Sequence, residues 1–188
     1  MKIRVLPLVA ALALPAAAQT PPSAAGPAPN AAITGLKFPW SRVKDILVRA
    51  AEKMPEENYA FRASPDVRSF GQLVGHVADA NFMFAAMAAG EKPAPRDIEK
   101  TKTSKADLVA ALKESFATAD KAFAMTDAEL AAATKLFGQD TNRFAVVGLL
   151  IGHDWEHYGN MVTYMRIKGI VPPSSEPRPE AAKSAPAK

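Results

Sequence analysis

Apolar residues recur at helical spacing in four long segments of this chain and alternate at strand spacing almost nowhere. In the first segment Trp40, Val43, Ile46, Leu47, Ala50 and Ala51 share one face. That pattern predicts a helix from Pro39 or Ser41 to about Met54, stopped by Pro55. The second helix starts behind Ser69 as N-cap and runs to Gly90, with Leu73, His76, Val77, Ala80, Phe84 and Met87 on its buried side. A third runs from Ser104 to about Met125 on a stripe of Leu108, Ala111, Leu112, Ser115, Phe116, Ala119 and Phe123. Thr126-Asp127-Ala128-Glu129 then forms a capping box for a short helical turn. The last helix is capped at Thr141 or Asn142 and ends at Gly169. Its inner face carries Val146, Leu150, Met161 and Tyr164 together with His153 and His157. β-Branched residues are scattered, so no strand is predicted. The fold class is all-α. Four helices joined by connectors of roughly a dozen residues predict a four-helix bundle, and connectors that long leave the order of helices open.

Composition changes this picture mainly at the ends. The chain is 48% hydrophobic and 22% charged over 188 residues, which suits one globular domain. Residues 1–20, MKIRVLPLVAALALPAAAQT, place Lys2 and Arg4 before the apolar run Val5 to Leu14 and the small residues Ala16 to Ala18. This is the layout of a cleavable signal peptide over 1–18, and it predicts a periplasmic or secreted protein. The apolar run is too short for a comfortable bilayer crossing, so no stable membrane span is expected after cleavage. Residues 19–32 are rich in Pro, Ala, Gly and Ser and read as a disordered linker. The folded domain is expected over 33–171, and 172–188 as a disordered tail.

Charge and residue type exclude several chemistries. The chain has 23 basic and 19 acidic residues. Without Lys2 and Arg4 of the leader the balance is 21 to 19, too weak for a nucleic-acid partner. With no cysteine, disulfides, thiolate metal sites and cysteine nucleophiles are excluded. Any metal must be held by His, Asp, Glu or water. Nothing resembles a phosphate loop, a nucleophile elbow or a dinucleotide fingerprint.

The three histidines carry the candidate chemistry. His153 and His157 are four residues apart, one above the other on a helix, and His76 lies on another apolar helical face. Unpartnered buried imidazoles are costly. Two readings stand at this point: core histidines bonded to neighbours, or an open three-imidazole metal site. HDWEH invites comparison with the zincin motif HExxH, but Asp154 stands where that motif needs Glu, and Glu156 is expected on a different side of the helix. Asp154 is instead a candidate for orienting a histidine. Asp79, three residues after His76, is another, able to accept a ring N–H, to reach a metal, or simply to be a solvated charge. Asn160, Tyr164 and Asn81 are polar groups near the same layers, whereas Trp40, Trp155, Phe82 and Phe84 read as core or interface aromatics. No residue is assigned a direct role in bond making.

The segment FGQLVGHVADANFMF, the lead-in MPEENYAFRASPDVRS and the distant HDWEHYGNMVTYMRIKGIVPP together resemble the DinB-like superfamily. The resemblance covers about Pro39 to Pro173. Its motif is one histidine on the second helix and an H-x-x-x-H pair on the last, matched here by His76, His153 and His157. It implies a four-helix bundle in which those three side chains bind a divalent metal, zinc or nickel, with water completing the shell. It further implies dimerisation through bundle helices, and no DNA contact, since the name describes expression. Relatives include transferases and isomerases that use low-molecular-weight thiols, whose pKa the metal would lower. The leader departs from that pattern, because reduced cytosolic thiols are scarce outside the cytoplasm.

These readings lead to an exported, metal-dependent hydrolase or transferase acting on a small molecule. The alternatives are a bundle that binds a metal or ligand without turnover, and a purely structural bundle whose histidines bond to Asp79 and other neighbours.

Overall fold

The computed structural model describes residues 29–176. Four long helices form the bundle: α1 (Ala31–Lys53), α2 (Phe70–Ala89), α4 (Lys105–Ala119) and α6 (Arg143–Ile167). Two short helices, α3 (Ile98–Thr101) and α5 (Asp127–Leu130), interrupt the connectors. A hairpin of β1 (Ala133–Leu136) and β2 (Gln139–Asn142) leads directly into α6. The helix α2 packs on α4 and α6, and α1 packs on the same two. The order around the bundle is therefore α1, α4, α2, α6, with α1 diagonal to α2. Among the described residues no helix is long and apolar enough to cross a membrane.

The core follows the sequence stripes. Val43, Ile46, Leu47, Phe70, Val77, Leu112, Phe116, Leu150 and Met161 are all fully buried between the four helices. Trp40 stacks on Phe123 with ring centroids 4.4 Å apart and donates its indole N–H to Asp120 at 2.8 Å. That acceptor removes the cost of burying the ring nitrogen. The capping predictions also take physical form. Ser69 and Gln72 close a reciprocal capping box on α2, Thr126 and Glu129 close another on α5, and the Asn142 side chain accepts from Ala145 N–H.

Three expectations need correction. α1 begins at Ala31, with Pro39 inside it, instead of starting at Pro39 or Ser41. The Asp127 carboxylate accepts the backbone N–H groups of Ala32 and Ile33 at 3.0 and 2.9 Å, and Asn30 accepts from Asp127 N–H. A side chain some ninety residues away thus satisfies the free first turn, and Ile33 is buried beneath it. Second, the hairpin over 133–142 was not expected, since each strand has only four mostly polar residues. Third, the start of the expected tail is ordered. Pro172 and Pro173 are buried, Ser174 N–H donates to the Tyr158 hydroxyl at 2.9 Å, and Glu176 pairs with Arg49 and Lys53. The expected leader, nearly all of the linker and the rest of the tail lie outside the described residues.

Candidate metal centre

The neighbouring helices α2 and α6 bring the three histidines together. Nε2 of His153 lies 3.2 Å from Nε2 of His76 and 3.1 Å from Nε2 of His157. One nitrogen from each ring falls within 4.8 Å of the other two. The rings meet tilted or edge to face, so the approach is nitrogen to nitrogen.

The outer nitrogens determine what the inner ones can do. A neutral imidazole has one N–H and one lone pair, and its partner selects the tautomer. His76 Nδ1 lies 3.2 Å from Glu99 Oε2. A carboxylate only accepts, so Nδ1 holds the proton and the Nε2 lone pair faces the cluster. His157 Nδ1 is 3.5 Å from the Asn160 amide nitrogen, and a half-turn of that amide presents its oxygen instead. His153 Nδ1 is buried without a hydrogen-bond partner, and Asp154 Oδ1 is 3.7 Å away. Both Asp154 oxygens are themselves buried and unpartnered. Lone pairs converging in this way repel one another unless a cation lies between them. Tetrahedral zinc with bonds of about 2.0–2.1 Å to nitrogen requires nitrogens about 3.3 Å apart, close to the spacing here. The donor set therefore fits a divalent transition ion.

Electrostatics favour the ligating form. Burial, the Arg68 charge and the neighbouring His153 together hold His76 below the ordinary imidazole range. Burial and the two other rings pull His157 down to about 3. Both are neutral lone-pair donors at physiological pH. Burial pushes the Asp154 carboxyl up to about 6, against a weaker pull from His153.

The carboxylate at His76 is Glu99, which the sequence reading missed. Asp79 does not reach a histidine. Its two oxygens accept the N–H groups of Ile98 and Glu99 at 3.0 and 2.9 Å, fixing the first turn of α3. Gly75 makes the approach possible, since a Cβ there would lie 2.7 Å from the Glu99 Cα. Arg68 then donates to the other Glu99 oxygen at 2.9 Å. Two residues flanking His76 thus hold the segment whose carboxylate orients it. The signal was a glycine and an aspartate bracketing a helix-interior histidine, but their target lay in a connector read as a polar loop. Tyr164 also stays off the histidines. It donates to the Arg68 carbonyl at 2.6 Å, tying the connector before α2 to α6. Asn81 is fully buried away from the cluster and donates to Ser115. Phe84 is buried with its ring edge toward His153, at 5.6 Å between centroids.

The cluster opens on two sides. His157, Arg68, Asn160 and Tyr164 line a cleft of about 560 Å³. Glu156, exposed on α6, borders the same cleft. His76 and His153 line a second cleft of about 520 Å³, and Glu99 borders both. The Gly75→Ala variant is expected to push α3 off α2 and loosen Glu99. Zinc affinity by calorimetric titration should fall about tenfold, within the range for losing an orienting partner. Unchanged affinity would mean that Glu99 does not matter to the cluster.

This is a helical bundle whose described residues gather three imidazoles at one point between two helices. Residues 40–161 match the model of the DinB superfamily, and the chain belongs to that superfamily. Solved structures agree on the fold. A DinB-like protein from Bacillus cereus aligns with a TM-score of 0.67 at 18% identity, over 75% of this chain and 95% of that one. A DinB-like protein from Bacillus subtilis gives 0.61 at 20%, over 77% and 99%. No curated protein matches the chain in sequence.

Proposed function

We propose that the protein is an exported metal-dependent hydrolase or transferase that acts on a small molecule at the His76, His153 and His157 cluster. The observation that carries this reading is the convergence of three Nε2 atoms beside two open clefts. Three imidazole nitrogens suit zinc or nickel. A divalent ion supplies Lewis acidity, which polarises a carbonyl or favours the deprotonated form of a water or thiol.

The chain's own part is positioning. Glu99 accepts the His76 Nδ1 proton and keeps that ring's lone pair inward, while Arg68 balances the carboxylate charge. Asn160 stands at the outer nitrogen of His157, and Asp154 at that of His153. The bundle wall, including Phe84 against His153, limits water on the inner side. The sequence of residues 1–18 supports export. Phe144 and Trp155, both exposed and eleven residues apart on one face of α6, support pairing with a second copy.

The second reading, binding without turnover, has its own support: the acids that line the cleft beside His76 and His153 are committed. Glu99 serves Arg68 and His76, and Asp79 serves the α3 backbone. One experiment separates the two. Tag-free protein is analysed for metal, then assayed on small esters, amides and thiol-acceptor electrophiles before and after chelation. Turnover lost on chelation and restored by zinc or nickel supports the enzyme. One equivalent of metal without turnover selects the binding protein, and no metal at all rejects both.

A further inference from the structure

Phe137 occupies a position that neither backbone preference nor burial explains. It is the first of two residues joining β1 to β2, and both it and Gly138 have positive φ, 50° and 84°. A two-residue hairpin turn of this kind favours Asn, Asp or Gly at the first position, and an aromatic residue there is disfavoured. The side chain gains little from the core, being 63% exposed. Strain of this sort persists where the surroundings fix it and is a pointer to function. The hairpin is tied to the end of α2, with Thr134 donating to the Met87 carbonyl at 2.9 Å. Phe137 thereby overhangs the second cleft, edge-on to Phe84 at 6.2 Å.

The charges around that cleft are already engaged within the protein. Asp79 holds the α3 backbone, Lys100 pairs with Asp97, Glu99 bonds Arg68 and His76, and the Arg96 guanidinium lies over the Phe82 ring at 3.7 Å. What remains for a ligand is apolar: Met83, Phe84, Pro93, Pro95 and Phe137, with His76 and His153 at the cleft as well. A pocket with an apolar lining and a few convergent polar groups takes a molecule with an apolar body and one polar head.

We infer that this cleft is the substrate pocket, and that Phe137 is its specificity-determining cap. The ligand class is a neutral small molecule with an aromatic or compact aliphatic body and a single lone-pair head directed at the histidine cluster. The inference rests on the proposed metal site for its head group and on the cleft alone for its body.

The probes are imidazole and 4-phenylimidazole, titrated into zinc-loaded full-length protein by calorimetry. The phenyl-bearing probe should bind at least about tenfold more tightly, as burial of one ring predicts. The Phe137→Asn variant should lose most of that ratio while keeping its metal content, its imidazole affinity and its Tm, because Asn suits the turn. A retained ratio in the variant overturns the inference. If ratio and Tm both fall, Phe137→Leu decides: recovery of the ratio supports the cap, and failure to recover rejects it. A parallel titration of metal-free protein with 4-phenylimidazole follows the Met83 methyl resonance. Shifts there in a protein that takes up no zinc would retain the cleft and reject the metal site. One equivalent of metal with no Met83 shift would reject the cleft and retain the metal site.

Discussion

His153→Ala and His157→Ala, each purified without a histidine tag and exposed to zinc, are expected to retain less than about a tenth of an equivalent after desalting, where the unaltered chain retains one. The expectation follows from how the donors are supplied. Three Nε2 atoms sit within 3.1–3.2 Å contacts with His153 in the middle, so its loss leaves His76 and His157 without their common neighbour. Removing His157 takes the most deeply buried ring of the three, one that burial and its neighbours keep neutral. Two imidazoles and water hold a borderline ion far less tightly than three. The fold should survive, because the four helices are packed through Leu47, Phe70, Phe116 and Leu150, and truncating one imidazole removes none of those contacts. Zinc at a hundredfold excess over its Kd should stabilise the unaltered protein by about 2.7 kcal/mol. For a domain of this size that is a Tm rise of roughly 5–10 °C. Neither variant should show the rise. One equivalent retained by both variants would remove the site assignment.

The parts of this molecule that were legible in its sequence are those governed by local rules. Ser69, Thr126 and Asn142 announce helix starts because a cap acts within three residues. The stripe from Val43 to Ala51 is buried because helical period and burial are the same information. The shared helix face of His153 and His157 was legible for the same reason. What could not be read depends on distant partners. The first two turns of α1 look unsupported until Asp127 is brought to them, and Pro39 then reads wrongly as a start. Asp79 was placed on the correct helix face, but its target is the backbone of a segment about twenty residues further on. Glu99's own segment carried no signal, since a polar connector gives no hint of which acid turns inward, and Gly75 and Asp79 on α2 mark only where it lands. The tail segment at Pro173 and Glu176 looks disordered by composition, yet Tyr158, Arg49 and Lys53 give it partners. Convergence of His76 with the other two needed the helix order, which periodicity does not contain.

Asp154→Ala is expected to move stability and metal affinity in opposite directions. Asp154 is fully buried, and neither carboxylate oxygen has a hydrogen-bond partner. A buried polar group in that condition costs about 1–3 kcal/mol. Alanine removes the group, leaves only a small void and suits the middle of α6, so the metal-free variant should melt several degrees higher, roughly 3–10 °C. The carboxylate stands 3.7 Å from His153 Nδ1, the one outer nitrogen of the cluster that is buried and unpartnered. A modest rotation would close that pair when the Nε2 of His153 is engaged, fixing the ring and raising its basicity. Zinc affinity should therefore drop ten- to a hundredfold in the variant. Calorimetric titration and melting of the metal-free protein read the two effects separately. A lower Tm with unchanged affinity would make Asp154 a core residue whose partner lies elsewhere. A higher Tm with weakened binding would show a bundle that keeps an unfavourable buried acid for the sake of its histidine. In that case Asp154→Asn, which keeps the shape and an acceptor oxygen but not the charge, should recover part of the affinity.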